Sequence, residues 1–210
     1  MIADFSGGPC PHLEFIVEEP LLAGFFMLLQ HGAGIRRRVG CSIEIFLRQE
    51  VGAGPETVEK IQSIMLDGRP VDDIRSALVR DGSVLALSAA MPGLVGATLR
   101  RGGTYSSFRS GITHHESGQA CEQAEGLVEI KLFNLLMAEL GPGLLRQGVL
   151  VKSRDLTDFL SERFLELRPG CRRVMQDGRP VDGATVFPGD REWLGKGSVF
   201  LTVAAGPVQD

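Results

Sequence analysis

The residues best suited to chemistry gather in one polar stretch. His114, His115, Glu116 and Cys121 bring imidazole, carboxylate and thiol groups close together. Neutral imidazole and thiolate are good ligands for zinc, so His114, His115 and Cys121 are the candidate metal ligands, with Cys10 and His12 able to join them through space. The spacing matches no zinc signature, and regular backbone would point the adjacent histidines apart. The same stretch holds Tyr105 and Arg109. Together with His114 and His115 they form the candidate ligand-binding set. Ser106, Ser107 and Ser110 lie near His114, but a hydroxyl nucleophile needs a positioned base and an orienting acid. No Gly-x-Ser-x-Gly elbow occurs. Gly40-Cys41-Ser42-Ile43-Glu44 comes nearest, and Glu44 breaks the pattern.

Anion and acid candidates are weaker still. Gly189 to Gly197 resembles a phosphate loop only superficially: the spacing is off, no Ser or Thr follows Lys196, and a strand is expected next. Gly32-Ala33-Gly34 follows a helix, whereas phosphate binding places glycines before one. Arg36-Arg37-Arg38 and Arg100-Arg101 could meet an anion but read as solvated strand ends in an acidic chain. Asp72, Asp73 and Asp182 each follow a hairpin and read as turn residues. No cofactor can be named from these patterns.

The elements that must position these groups repeat. Asp67-Gly68-Arg69-Pro70-Val71-Asp72 recurs unchanged as Asp177-Gly178-Arg179-Pro180-Val181-Asp182. Val17-Glu18 and Val128-Glu129 precede the two copies. Gly82-Ser83-Val84 and Gly197-Ser198-Val199 follow them, in the same order and at nearly constant spacing. Colinear signposts indicate internal duplication.

The local grammar of the two copies agrees. Pro20 suits a first helical turn, Leu21 to Gln30 reads as helix, and Gly32 and Gly34 stop it. In the second copy Leu127 to Leu140 reads as a buried helix, with Gly141-Pro142-Gly143 as its stop. Val39, Cys41, Ile43, Ile45 and Leu47 alternate with more polar residues, which predicts a strand; Val149 to Val151 is its counterpart. A short helix is expected from Glu56 to Ile61. In the second copy Ser153 is the expected N-cap of a helix that carries Leu156, Phe159, Leu160 and Phe164 on one face. Asp-Gly then supplies a type I′ hairpin turn, and Pro70 and Pro180, which cannot donate to a ladder, make the outgoing strands edge strands or brief ones. A last strand closes each copy, at Val84 to Leu87 and at Val199 to Val203. Met91 to Ala97, small and apolar, is expected to be a buried loop or a contact surface.

The expected fold is therefore α+β and internally duplicated. Two helix-strand-helix-hairpin-strand modules, 12–103 and 124–210, are related by a pseudo-twofold axis and packed as one unit. The polar connector 104–123 has no counterpart in the repeat, so a site is expected there, between the halves.

Leu66-Asp67-Gly68-Arg69-Pro70-Val71 and Asp81-Gly82-Ser83-Val84-Leu85-Ala86-Leu87 resemble the tail of a β-grasp module of the ubiquitin-like, sulfur-carrier type. Leu99-Arg100-Arg101-Gly102-Gly103 echoes the glycine pair that ends such carriers. The resemblance implies β-grasp-like modules as the alternative fold and a sulfur-carrier relative as an alternative function. A carrier uses a free terminal glycine carboxylate, whereas Gly103 is internal.

Composition bounds the rest. The chain has 210 residues, 43% hydrophobic and 23% charged, which excludes a disordered chain. A net charge of −4 argues against a general nucleic-acid binder. Four cysteines are too few for a disulfide scaffold. Met1 to Gly8 carry neither a basic nor an apolar signal region, and no apolar run is long enough to span a bilayer. The expectation is a soluble cytoplasmic binding or assembly protein, with no membrane or nucleic-acid partner. It would recognise a small molecule or a protein and self-associate as a homo-oligomer. The alternative is a small-molecule or metal-dependent enzyme with its site on the connector.

Overall fold

A computed structural model describes residues 10–90, 93–103, 113, 124–182, 186, 194 and 197–206. His12–Val17 buries every second side chain, with Leu13, Phe15 and Val17 fully covered, and forms β1. Next come α1 (Glu19–Leu22), a 3-10 turn at Ala23–Phe25 and α2 (Phe26–His31). Pro20 stands in the first turn, and Gly32, at φ 118°, ends the run. β2 (Ala33–Val39) and β3 (Cys41–Ser42) lead to α3 (Ile43–Ile45), which continues as a π turn at Phe46–Glu50. α4 (Pro55–Lys60), β4 (Ser63–Leu66), β5 (Arg69–Pro70), β6 (Leu78–Val79), β7 (Val84–Ser88) and α5 (Gly93–Leu99) follow. Beyond the connector lie β8 (Ala124–Phe133), α6 (Leu135–Gln147), β9 (Val149–Lys152), α7 (Ser153–Glu162) and α8 (Phe164–Leu167). The hairpin β10 (Cys171–Gln176) and β11 (Arg179–Pro180), then β12 (Ser198–Ala205), complete the described elements.

The Asp-Gly turns form as the sequence predicts. Asp67 and Gly68 have φ of 51° and 78°, and Asp177 and Gly178 have 50° and 77°. The chain is α+β, but several local expectations change. The expected strand through Leu47 becomes helical at Ile43, because the Ser42 hydroxyl accepts from the Ile45 N–H at 3.4 Å. Ile43, Phe46 and Leu47 are buried while Ile45 is 39% exposed, which is helical and not strand spacing. The expected helix from Leu127 is instead β8; Asn134, at φ 57°, breaks the chain direction before α6 begins. Gly141-Pro142-Gly143 lies inside α6 and does not stop it. Fully buried Leu144 and Leu145 anchor the last turn. Ser153 is the first residue of α7 and its hydroxyl donates to the Leu194 carbonyl, so it does not cap; Phe164 opens a separate helix after Arg163. Gly93 to Ala97 is helical, not a loop. A strand precedes each apolar helix. Val17 ends one such strand while Val128 lies within the other, so this pair of signposts is not structurally equivalent.

The chain divides into two compact units. The first lies within Ile35–Leu140 and the second joins the stretch ending at Gly34 to the stretch beginning at Gly141. In the first, the sheet runs β2-β8-β7-β4-β5. β7 and β8 are parallel, from Val84↔Glu129 to Ser88↔Phe133, and β4 is antiparallel to β7. β3 and β6 pair separately. Ile64, Leu66, Leu85, Leu87, Val128, Ile130 and Leu132 form the buried face. In the second unit the order is β11-β10-β1-β12-β9, and Gly34 pairs with Leu150. β1 and β12 are parallel, β10 is antiparallel to β1, and β9 is antiparallel to β12. Phe15, Phe25 and Phe159 pack in series as tilted ring pairs, with centroids 5.5 and 5.3 Å apart. Each such buried ring or aliphatic side chain stabilises by roughly 1.5–3 kcal/mol. Among the described residues no helix is long and apolar enough to cross a membrane.

Candidate functional site

The first hairpin leads directly to a charged cleft. The Asp67 carboxylate accepts from the Val84 N–H at 2.7 Å and ties the turn to the start of β7. Beyond β5 the chain turns again at Asp72 to Ser76. Asp73 holds this turn: its carboxylate accepts from the Arg75 N–H at 2.9 Å. That bond, with the Ser76 contact, holds its carboxyl below the usual carboxylate range. The turn aims Arg75 back at Glu44, 3.3 Å from Nε to Oε2. Arg48, one helical turn after Glu44, reaches its other oxygen at 3.5 Å. Glu44 thus pairs with two guanidinium groups, one at each carboxylate oxygen, and its single charge leaves a net positive balance.

α4 and the turn after α5 supply the remaining wall. The Gly102 N–H donates to Asp72 at 3.2 Å, and the Arg101 N–H donates to the Gln62 carbonyl at 2.7 Å. These bonds bring Arg101 to a cleft of about 280 Å³ lined by Glu44, Arg48, Glu59, Asp72, Arg75 and Arg101, with Pro55 and Val58 as an apolar patch. The Arg101 Nη1 is buried and makes no hydrogen bond. Leaving a buried donor unmet costs about 1–3 kcal/mol, more for a charged group. Guanidinium groups stay protonated and do not act as acid or base at neutral pH. The cleft is thus built to bind charge: guanidinium forks suit a carboxylate or phosphate, and the Glu59 and Asp72 carboxylates suit an amine.

Tyr105, Arg109, His114, His115 and Cys121 lie outside the described residues. Of the groups proposed to join them, His12 is engaged elsewhere: its Nε2 is 2.9 Å from the Thr202 hydroxyl. Cys10 is exposed. No cluster of three or more metal-ligating side chains occurs among the described residues. Burial pushes the Cys171 thiol up to about 11, which keeps it protonated. Ser42 spends its hydroxyl on capping α3. Arg37 donates to the Glu50 carbonyl at 2.9 Å.

Arg101 and Asp72 were each visible in the sequence as an arginine pair and a post-hairpin acid. Nothing local showed that α5 returns one beside the other. No protein-family model matches the chain, and neither a curated protein nor a solved structure is significantly similar to it.

Proposed function

We propose that the chain is a cytoplasmic binding module, built by internal duplication, that takes a small zwitterionic molecule in the charged cleft of its first unit. The observation that carries this is Arg101: a buried guanidinium nitrogen without an acceptor, in a cleft that also presents carboxylates. A carboxylate on the ligand would accept from Arg101, and an adjacent amine would face Asp72 or Glu59.

Duplication is supported by the two identical hairpins, each followed after a positive-φ glycine (Gly82, Gly197) by a strand that belongs to a parallel pair. The β-grasp-like alternative is supported in the first unit, where the parallel pair lies inside the order β2-β8-β7-β4-β5 and helices fill the connection from β2 to β4. The assembly part rests on Leu165, 83% exposed on α8. Sedimentation tests it: a dimer that Leu165→Glu dissociates supports it, and a monomeric parent ends it.

The cleft is tested by NMR titration of the full chain with glycine and larger neutral α-amino acids, following the backbone amide signals of Arg75 and Gly102 beside the cleft. A saturable shift with an amino acid, weaker with acetate or methylamine alone and lost in a folded Arg101→Met variant, is the expected result. No saturable shift, or one that persists in Arg101→Met, overturns the reading.

A further inference from the structure

The opposite face of the first unit's sheet carries a second cleft that shares no residue with the charged one. β4, β7 and β8 turn Ile64, Leu66, Leu85, Leu87, Val128, Ile130 and Leu132 into the core, so the alternate residues lie on the other face. Register arranges those residues in rows. Ser63 stands opposite Ser88, which stands beside Phe133; Met65 stands opposite Ala86, which stands beside Lys131. Ala86 and the two serines are small, and the depression they leave has a volume of about 250 Å³. Ser63, Met65, Ala86, Ser88, Phe133 and Asn134 line it.

Its polar groups are arranged unequally. Asn134 donates from Nδ2 to the Ser88 hydroxyl at 3.2 Å and also to the Ala90 carbonyl, and its positive φ of 57° holds it at the end of the cleft. Ser63 is only 3% exposed, yet its hydroxyl makes no hydrogen bond. A buried hydroxyl without a partner is unfavourable unless something completes it. The charge in the neighbouring row, Lys131, is paired with Glu129 at 3.1 Å, so nothing in the lining calls for an ion.

We propose that this cleft binds a small neutral molecule with an apolar ring system and one carbonyl oxygen. The rings would lie on Met65, Ala86 and Phe133. The carbonyl would accept from the Ser63 hydroxyl, which one χ1 rotation turns toward it. An apolar cavity of about 150 Å³ holds benzene, so the larger volume here suits two fused rings. This site stands independently of the zwitterion site.

The test uses the full chain with two bicyclic probes, 1-tetralone and tetralin, which differ only in the carbonyl oxygen. Affinities are read by calorimetry or ligand-observed NMR. Tetralone is expected to bind more tightly than tetralin. Ser63→Ala should weaken tetralone about 2- to 10-fold, the range of one hydrogen bond, and leave tetralin unchanged. Ala86→Leu, which fills the floor, should abolish both while circular dichroism and Tm show a folded protein. Absence of saturable binding, equal affinity for the two probes in the parent, or binding indifferent to both substitutions overturns the proposal.

Discussion

Ser63 and Ser88 face each other across the antiparallel β4–β7 pair, and of the two hydroxyls only that of Ser88 has a hydrogen-bond partner, the Asn134 side chain. Identical residues at one register position therefore carry opposite energetic signs. Ser63→Ala removes an unmet polar group and should leave stability unchanged or raise it by up to about 1 kcal/mol. Ser88→Ala removes one of the two acceptors of the Asn134 amide, leaves the Ala90 carbonyl as the other, and should cost about 1 kcal/mol. Urea unfolding midpoints at constant m-value distinguish the two; equal losses would contradict the asymmetry.

Each unit contains a strand that lies on the other side of the connector 104–123 from the other strands of its sheet. β8 lies between β2 and β7 in the first unit, and β1 lies between β12 and β10 in the second. Fragment 1–103 lacks β8, and fragment 124–210 lacks β1. Neither fragment should fold alone, because the missing strand belongs to the middle of a sheet and its absence exposes two unpaired edges. Co-expression should restore a folded complex with dispersed amide resonances. A fragment that folds by itself would show that the interleaved strand is dispensable.

Gly141 and Gly143, two residues apart in α6, should respond oppositely to alanine. A Cβ on Gly141 would stand 2.8 Å from the Phe26 ring, whereas a Cβ on Gly143 meets nothing within 4 Å. Gly141→Ala should cost about 1–3 kcal/mol through overpacking. Gly143→Ala should stabilise by about 0.5–1 kcal/mol through helix propensity. Thermal unfolding of both variants beside the parent provides the measurement.

The turn that places Arg75 should weaken in acid. The folded Asp73 carboxyl lies below its ordinary range because it accepts from the Arg75 N–H. Its contribution is therefore complete above the unfolded value, about 3.9. It fades as pH falls through the lower folded value. Asp73→Ala should lower Tm at pH 7, and its difference from the parent should shrink below about pH 4. A difference that is constant with pH would mean that the side chain stabilises the turn without its charge.

How much was legible beforehand varied with the range of the interaction that decides each element. The Asp67-Gly68 and Asp177-Gly178 turns were readable because positive φ is a property of those residues themselves. Pro20 and Gly32 marked a helical run for the same reason. Ala124–Phe133 was not readable as a strand. Its apolar run fits a buried helix or a buried strand equally well, and parallel pairing with β7 decides between them. Ile43, Ile45 and Leu47 alternate like a strand, but packing selects Ile43, Phe46 and Leu47 as the buried set.

The two clefts divide in the same way. Arg101, Asp72, Ser63 and Ser88 are ordinary residues in their local sequence. Local residue preference sets the Asp-Gly turns of the two hairpins and the helical turn at Pro20, because it acts within a few residues. Strand pairing, the unpartnered Ser63 hydroxyl and the grouping of charges in one cleft are settled by long-range packing instead. Those outcomes depend on groups distant in the chain being brought within hydrogen-bonding distance, and no local preference encodes that.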